Sequence, residues 1–131
     1  MGDSPVRSVL LVASELMMAV RLEGMLRAVG CPVTVSDPDE DAVRRAIAQA
    51  RPAVIVLDLL VPPAAVAAVF GSPDAAVIAF GPHTDTARLA AGRAAGAAEV
   101  LPRSALQHAL VPLVAKHLAR SRQDMPDPDP A

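Results

Sequence analysis

The stretch Arg51-Pro-Ala-Val-Ile-Val-Leu-Asp58-Leu-Leu-Val-Pro62 constrains this chain more than any other. An unbroken apolar run stops at a carboxylate, and a proline follows four residues later. The run is too short for a membrane span, which needs roughly 20 residues. A strand apolar on both faces must be covered on both, as in a parallel sheet with helices above and below. In open sheets of that kind, ligands and chemistry sit beyond the carboxyl ends of the strands. Asp58 falls at such an end, so the residues gathered around it decide what the chain can do.

The rest of the sequence alternates strands and helices with short connections, the signature of an α/β fold with a parallel sheet. Val6 to Val12 reads as a first buried strand. Ser14 can cap the next helix, whose apolar stripe is Leu16, Val20, Leu22, Leu26 and Val29, with Gly30 ending it. Pro32 to Val35 is a short second strand. Asp37-Pro-Asp-Glu40 opens a second helix, with Asp37 as cap, Pro38 in the first turn and Glu40 completing a capping box. Pro52 closes that helix after about Ala50. Ala53 to Leu57 is the third strand, and Pro62-Pro63 starts a short helix of Ala and Val ending near Phe70-Gly71.

Ala75 to Phe80 is a fourth strand. Thr84 to about Ala95 is a helix weakened by Gly92, since an interior glycine costs about 1 kcal/mol against alanine. Glu99 to Leu101 is a brief fifth strand. Ser104-Ala-Leu-Gln107 is a second capping box, opening a last helix to about Arg122 that Pro112 should kink or divide. One domain over residues 6–122 is expected, followed at 123–131 by a disordered tail rich in Pro and Asp.

Composition narrows the function. At 131 residues, 53% hydrophobic and a formal charge of −2, the chain is a folded domain and not a polyanion binder. Its basic residues are scattered, and no aromatic platform accompanies them, so nucleic acid is not an expected partner. There is no Trp or Tyr and only two Phe; the core must be Ala, Val, Leu and Met, which bury little area each. Cys31 is the only cysteine, which excludes an internal disulfide and fits a reducing compartment. With no membrane-spanning run and no signal-peptide pattern, cytoplasm is the expected location.

Three local matches give the chain a family resemblance over about residues 6 to 120. Val-Leu-Leu-Val12 before a helix resembles the first strand of the receiver domain of bacterial two-component response regulators, the CheY-like family. Val-Ile-Val-Leu-Asp58-Leu-Leu-Val-Pro62 resembles the strand and turn that carry the family's phospho-accepting aspartate. Ala95-Gly-Ala-Ala-Glu-Val-Leu101 resembles its Gly-Ala turn into the fifth strand. The resemblance implies a flavodoxin-like, doubly wound sheet of five parallel strands in the order 2-1-3-4-5. The segment between Asp58 and the fourth strand is shorter than the family's by about two helical turns, which shortens the third-helix region.

The resemblance also shows what has changed. Family members hold Mg²⁺ with two acidic residues at the end of the first strand; here those positions are Ala13 and Ser14, and Glu15 comes one place late. Mg²⁺ demands hard oxygen ligands at near-octahedral geometry. The family's phosphoryl-binding Thr or Ser aligns with Gly81, its aromatic switch residue with Val100 and its Lys with Arg103. Phosphoryl transfer rests on positioning and electrostatic stabilisation, so losing these partners should remove most of its rate. Asp58 is then either a relic that stabilises the strand end or an acceptor with atypical ligation. Arg103 either forms a bidentate pair with Asp58 or points into solvent.

Other candidates are weaker. Glu15 fits the helix dipole better than metal ligation, and His83 reads as a solvated loop residue. His108 and His117 form no ligand pair, and Cys31 reads as a small apolar filler. Met17, Met18 and Met25 read as core. A Rossmann-type dinucleotide site is not expected, because Val12-Ala-Ser-Glu-Leu has no glycine. No nucleophile–base pair is visible, so no enzyme is expected, and no metal or cofactor. The resulting expectation is a degenerate receiver acting as a metal-independent protein–protein interaction module in bacterial signalling. Its alternative is a phospho-accepting receiver with atypical Mg²⁺ ligation at Asp58. By resemblance, the contact surface is the face of the fourth helix, fifth strand and fifth helix, with Arg88, Arg93 and Arg120 at its rim and homodimerisation through it an option.

Overall fold

Successive residues of the apolar strands go to opposite sides of one sheet, and that alternation builds two cores. The structure, a computed structural model, describes residues 8–72 and 74–123. Strands β1 (Val9–Val12), β2 (Val33–Ser36), β3 (Val54–Asp58), β4 (Ala76–Gly81) and β5 (Glu99–Pro102) form a parallel sheet in the order β2-β1-β3-β4-β5. Val9, Leu11, Val54, Val56, Ile78 and Phe80 meet helices α1 (Leu16–Ala28) and α5 (Leu106–Gln123). Leu10, Val12, Ile55, Leu57, Val77 and Ala79 meet α2 (Glu40–Ala50), α3 (Pro63–Phe70) and α4 (Thr86–Ala95). Residues Val54 to Leu57 are wholly buried, as a strand covered on both faces requires.

Helix ends depart from expectation in instructive ways. Asp39, not Asp37, caps α2: its carboxylate accepts from Ala42 N at 2.9 Å, and Pro38 lies ahead of the helix. Ser14 does not cap α1; Glu15 holds that position without a side-chain capping bond. The last helix opens through a 3-10 turn over Arg103–Ala105, which places Ser104 inside the turn and not ahead of it. α5 then continues unbroken through Pro112. Gly96 at the end of α4 has φ +112°, a conformation that favours glycine and lets the chain reverse into β5.

The buried stripe of α1 is also rotated from the expected one. Ala19, Leu22 and Leu26 face the sheet, with Met18 and Met25 partly buried beside them. Leu16, Met17, Val20 and Val29 are exposed. Two helical-period sets of apolar residues coexist on this helix, and the one carrying alanine seats closest to the strands. α3 has eight residues, as short as expected. Gly92, expected only to weaken α4, is buried against the β3–α3 connection: a Cβ there would stand 3.2 Å from Leu59 Cδ1. The glycine lets α4 close down on Leu59. The tail at 124–131 lies outside the described residues, and no described helix is long and apolar enough to cross a membrane.

Candidate functional site

Asp58 ends β3 with its side chain 3% exposed, and its two oxygens are held from opposite sides. Oδ2 accepts the backbone N–H of Ser14 at 2.9 Å and the Ser14 hydroxyl at 2.5 Å. Oδ1 accepts the backbone N–H of Leu60 at 2.9 Å. Ser14 stands just past the end of β1, the strand paired with β3, so adjacent strand ends bring together residues 44 apart in sequence. Ser14 thus donates to Asp58 and does not cap α1. Hydrogen bonds to a charged acceptor are about twice as strong as neutral ones.

Arg103 follows neither of its two expected courses, a pair with Asp58 or a side chain loose in solvent. Its guanidinium binds Glu15 Oε1 at 2.6 Å, with both side chains about half exposed, and does not meet Asp58. The shared face of two helices explains it. Helices α1 and α5 pack on the same face of the sheet, which brings Glu15, just before α1, and Arg103, in the turn before α5, together. Ala13 is buried in the core on the α1 side. Gly81 is buried too; a Cβ there would stand in ordinary contact with Leu89 Cδ2 at 3.4 Å and Leu59 Cβ at 3.8 Å. Val100 is half-buried and packs on the α4 side, near Gly92.

Mg²⁺ does not fit this set of donors. Three hydrogen bonds already occupy the Asp58 oxygens, Ala13 offers no ligand, Ser14 offers a neutral hydroxyl, and Glu15 is engaged by Arg103. Among the described residues, no cluster of three or more His, Cys, Asp and Glu side chains is arranged to hold a metal. The arrangement can fix the β1 and β3 ends to each other by hydrogen bonding.

Two contacts had no local signal in the sequence. Arg88 does not project freely from α4: its Nε binds Asp85 Oδ2 at 2.8 Å and its Nη1 donates to the carbonyl of Leu59 at 3.0 Å, fastening the segment after Asp58 to α4. The Asp85 carboxyl is held below its ordinary value, first by the hydrogen bond from the Arg88 side chain and then by that from its backbone. At the other end of the sheet, Glu99 Oε2 meets Nε2 of the buried His117 at 2.9 Å and Lys116 Nζ at 3.1 Å. The His117 hydrogen bond is the main cause that lowers the Glu99 carboxyl; burial opposes it and Lys116 assists. His83 is exposed, and burial raises the Cys31 thiol.

No protein-family model and no curated protein matches the sequence. Solved structures do match the fold. A CheY-like response regulator receiver domain protein from Methanospirillum hungatei superposes with a TM-score of 0.78 at 12% identity, over 92% of this chain and 99% of that one. The receiver domain of NtrX from Brucella abortus gives 0.75 at 18% identity, over 86% and 98%. A response regulator receiver protein from Burkholderia phymatum gives 0.74 at 19% identity, over 86% and 95%. With strand order, helix count and coverage all in agreement, the chain has the fold of response regulator receiver domains.

Proposed function

We propose that the chain is a degenerate receiver module of a two-component signalling system, which works by protein contact and without metal, phosphoryl transfer or enzymatic activity. One observation carries this: the acceptor-position carboxylate, Asp58, is buried and already accepts three hydrogen bonds from Ser14 and Leu60, and among the described residues no cluster of acids that could hold a metal gathers beside it. Attack by Asp58 on a phosphodonor would require it to shed these bonds and enter a site with no ion to neutralise the developing charge. Gly81 and Val100, at the positions where the family couples phosphorylation to its contact face, lack the groups for that coupling. The module therefore offers its partner a constant surface, with the reducing interior of a bacterial cell as its setting.

The test is incubation of the protein with acetyl phosphate and Mg²⁺, read by intact mass. The expected result is no stable gain of a phosphoryl group, while a variant carrying Ala13→Asp and Ser14→Asp gains one. Modification of the unaltered protein at Asp58 would establish the alternative, a phospho-accepting receiver with atypical ligation.

A further inference from the structure

A cavity of about 200 Å³ lies where α1 meets the start of α5. Met18 belongs to the first turn of α1, and Ser104 and Gln107 to the opening of α5. Both helices follow strands, so the cavity sits toward the carboxyl ends of the sheet, where open α/β folds hold ligands. Met18, Leu22 and Met25, on one side of α1, and Leu106 on α5 make its apolar walls. The two leucines are buried in the core, whereas Met18 and Met25 are only partly buried. Methionine is flexible and polarizable, and its sulfur makes favourable contacts with aromatic rings. The rim carries two guanidinium groups, a hydroxyl and an amide, from the exposed Arg21, Arg103, Ser104 and Gln107.

The two arginines are not equivalent. Arg103 is engaged by Glu15 at 2.6 Å, whereas Arg21 makes no hydrogen bond or ion pair among the described residues. One uncompensated positive charge therefore stands over an apolar floor. Other cavities lack that combination. Between α3 and α4 the walls are apolar, but Asp85 and the Leu59 carbonyl already occupy the guanidinium of Arg88. The larger cavity beside β2 sets Arg45 in company with Asp37, over small alanines.

We propose that the α1–α5 cavity binds a small aromatic carboxylate, with its ring between Met18 and Met25 and its anionic end at Arg21. Volume supports the ring. An engineered apolar cavity of about 150 Å³ takes up benzene, so 200 Å³ holds a ring and little more. Charge supports a monoanion over a phosphate dianion, because Glu15 already answers Arg103 and leaves Arg21 alone. A ligand this small, open to water on one side, has a dissociation constant on the order of 1 mM. Bound there, it changes the surface that a partner protein meets on α1 and α5. The site is separate from Asp58, and phosphorylation of Asp58 would leave the proposal standing.

Methionine-methyl NMR of the full chain, titrated with sodium benzoate to about 20 mM, tests it. The Met18 and Met25 signals should shift along one saturating curve, while that of Met17, 76% exposed, stays in place. Benzyl alcohol, the uncharged counterpart, should bind about fivefold more weakly, which is the worth of one exposed ion pair. Arg21→Gln should weaken benzoate by the same factor and leave benzyl alcohol unaffected. Arg21 has no partner to lose, so the melting temperature of that variant should not fall. Absence of a saturable shift at Met18 and Met25 would overturn the proposal, as would an equal shift at Met17. So would benzyl alcohol binding as tightly as benzoate, or unchanged benzoate affinity in the Arg21→Gln protein.

Discussion

Removing one hydroxyl should show how far Asp58 depends on Ser14. In Ser14→Ala the backbone N–H of residue 14 and that of Leu60 still bind the carboxylate, but Oδ2 loses its 2.5 Å partner. A hydrogen bond to a charged group contributes about 1.5–3 kcal/mol net. Asp58 is 3% exposed, which pushes toward the upper part of that range, whereas Ser14 is itself exposed and water can replace some of what is lost. A cost of about 1.5 kcal/mol follows, and for a domain of this size that is about 6 °C in melting temperature. Asp58→Asn should cost a similar amount, because one side of the amide turns a donor toward a donor. The two changes should not add: thermal melts of both single variants and the double variant should give a coupling of about 1 kcal/mol. A shift below 1 °C for Ser14→Ala, or strict additivity, would refute the claim that the Ser14 hydroxyl is a principal partner of the buried acid.

Three further outcomes follow from the packing and the charges. Arg103→Ala should cost under about 1 kcal/mol by denaturant titration, since its pair with Glu15 is half exposed; a loss larger than that of Ser14→Ala would mean Arg103 supports Asp58 after all. Gly92→Leu should destabilise by about 1–3 kcal/mol through overpacking against Leu59, whereas Gly24→Ala, also in a helix interior but facing open space, should stabilise by about 0.5–1 kcal/mol. Glu99 has its carboxyl lowered from the ordinary 4.5 by His117 first and Lys116 after it, so its stabilisation is complete above 4.5 and fades as pH falls toward the lower folded value. The melting difference between the unaltered protein and Glu99→Gln should accordingly shrink below pH 4.5; a difference that grows on acidification would reverse the assigned sign.

What was legible in the sequence, and what was not, divides by the range of the forces involved. The run from Val54 to Asp58 is legible because a strand buried on both faces leaves no polar position to confuse its assignment. The brevity of α3 is legible because Pro62, Pro63 and Gly71 bound it. The phase of α1 is not, since Leu16 and Val20 form as good a helical stripe as Ala19, Leu22 and Leu26, and only the distance to the sheet selects between them. The same holds for side chains with two short-range options. Ser14 can cap a helix or reach a carboxylate 44 residues away, and the second choice is set by the pairing of β1 with β3. Arg103 is drawn to Glu15 by the same kind of non-local geometry, and Glu99 meets His117 only once α5 lies against β5.

Ala13 and Ser14, where the resemblance places acids, bear on more than metal binding. Carboxylates gathered at one strand end repel each other unless a cation sits among them, so such a site is strained when empty and relaxed when filled. That difference is what lets an ion or a phosphoryl group alter the fold's energy. Here the lone Asp58 meets two N–H groups and a hydroxyl, all neutral, and the strand end is already at rest. Leu59 and Leu89 lie beside Gly81 in the other core, and Arg88 ties the carbonyl of Leu59 to α4. A site relaxed without a ligand has no differential energy to give one, and a conformational change needs such a difference. On the proposed reading, a signal would enter by occupancy of the surface and not through the chemistry of Asp58.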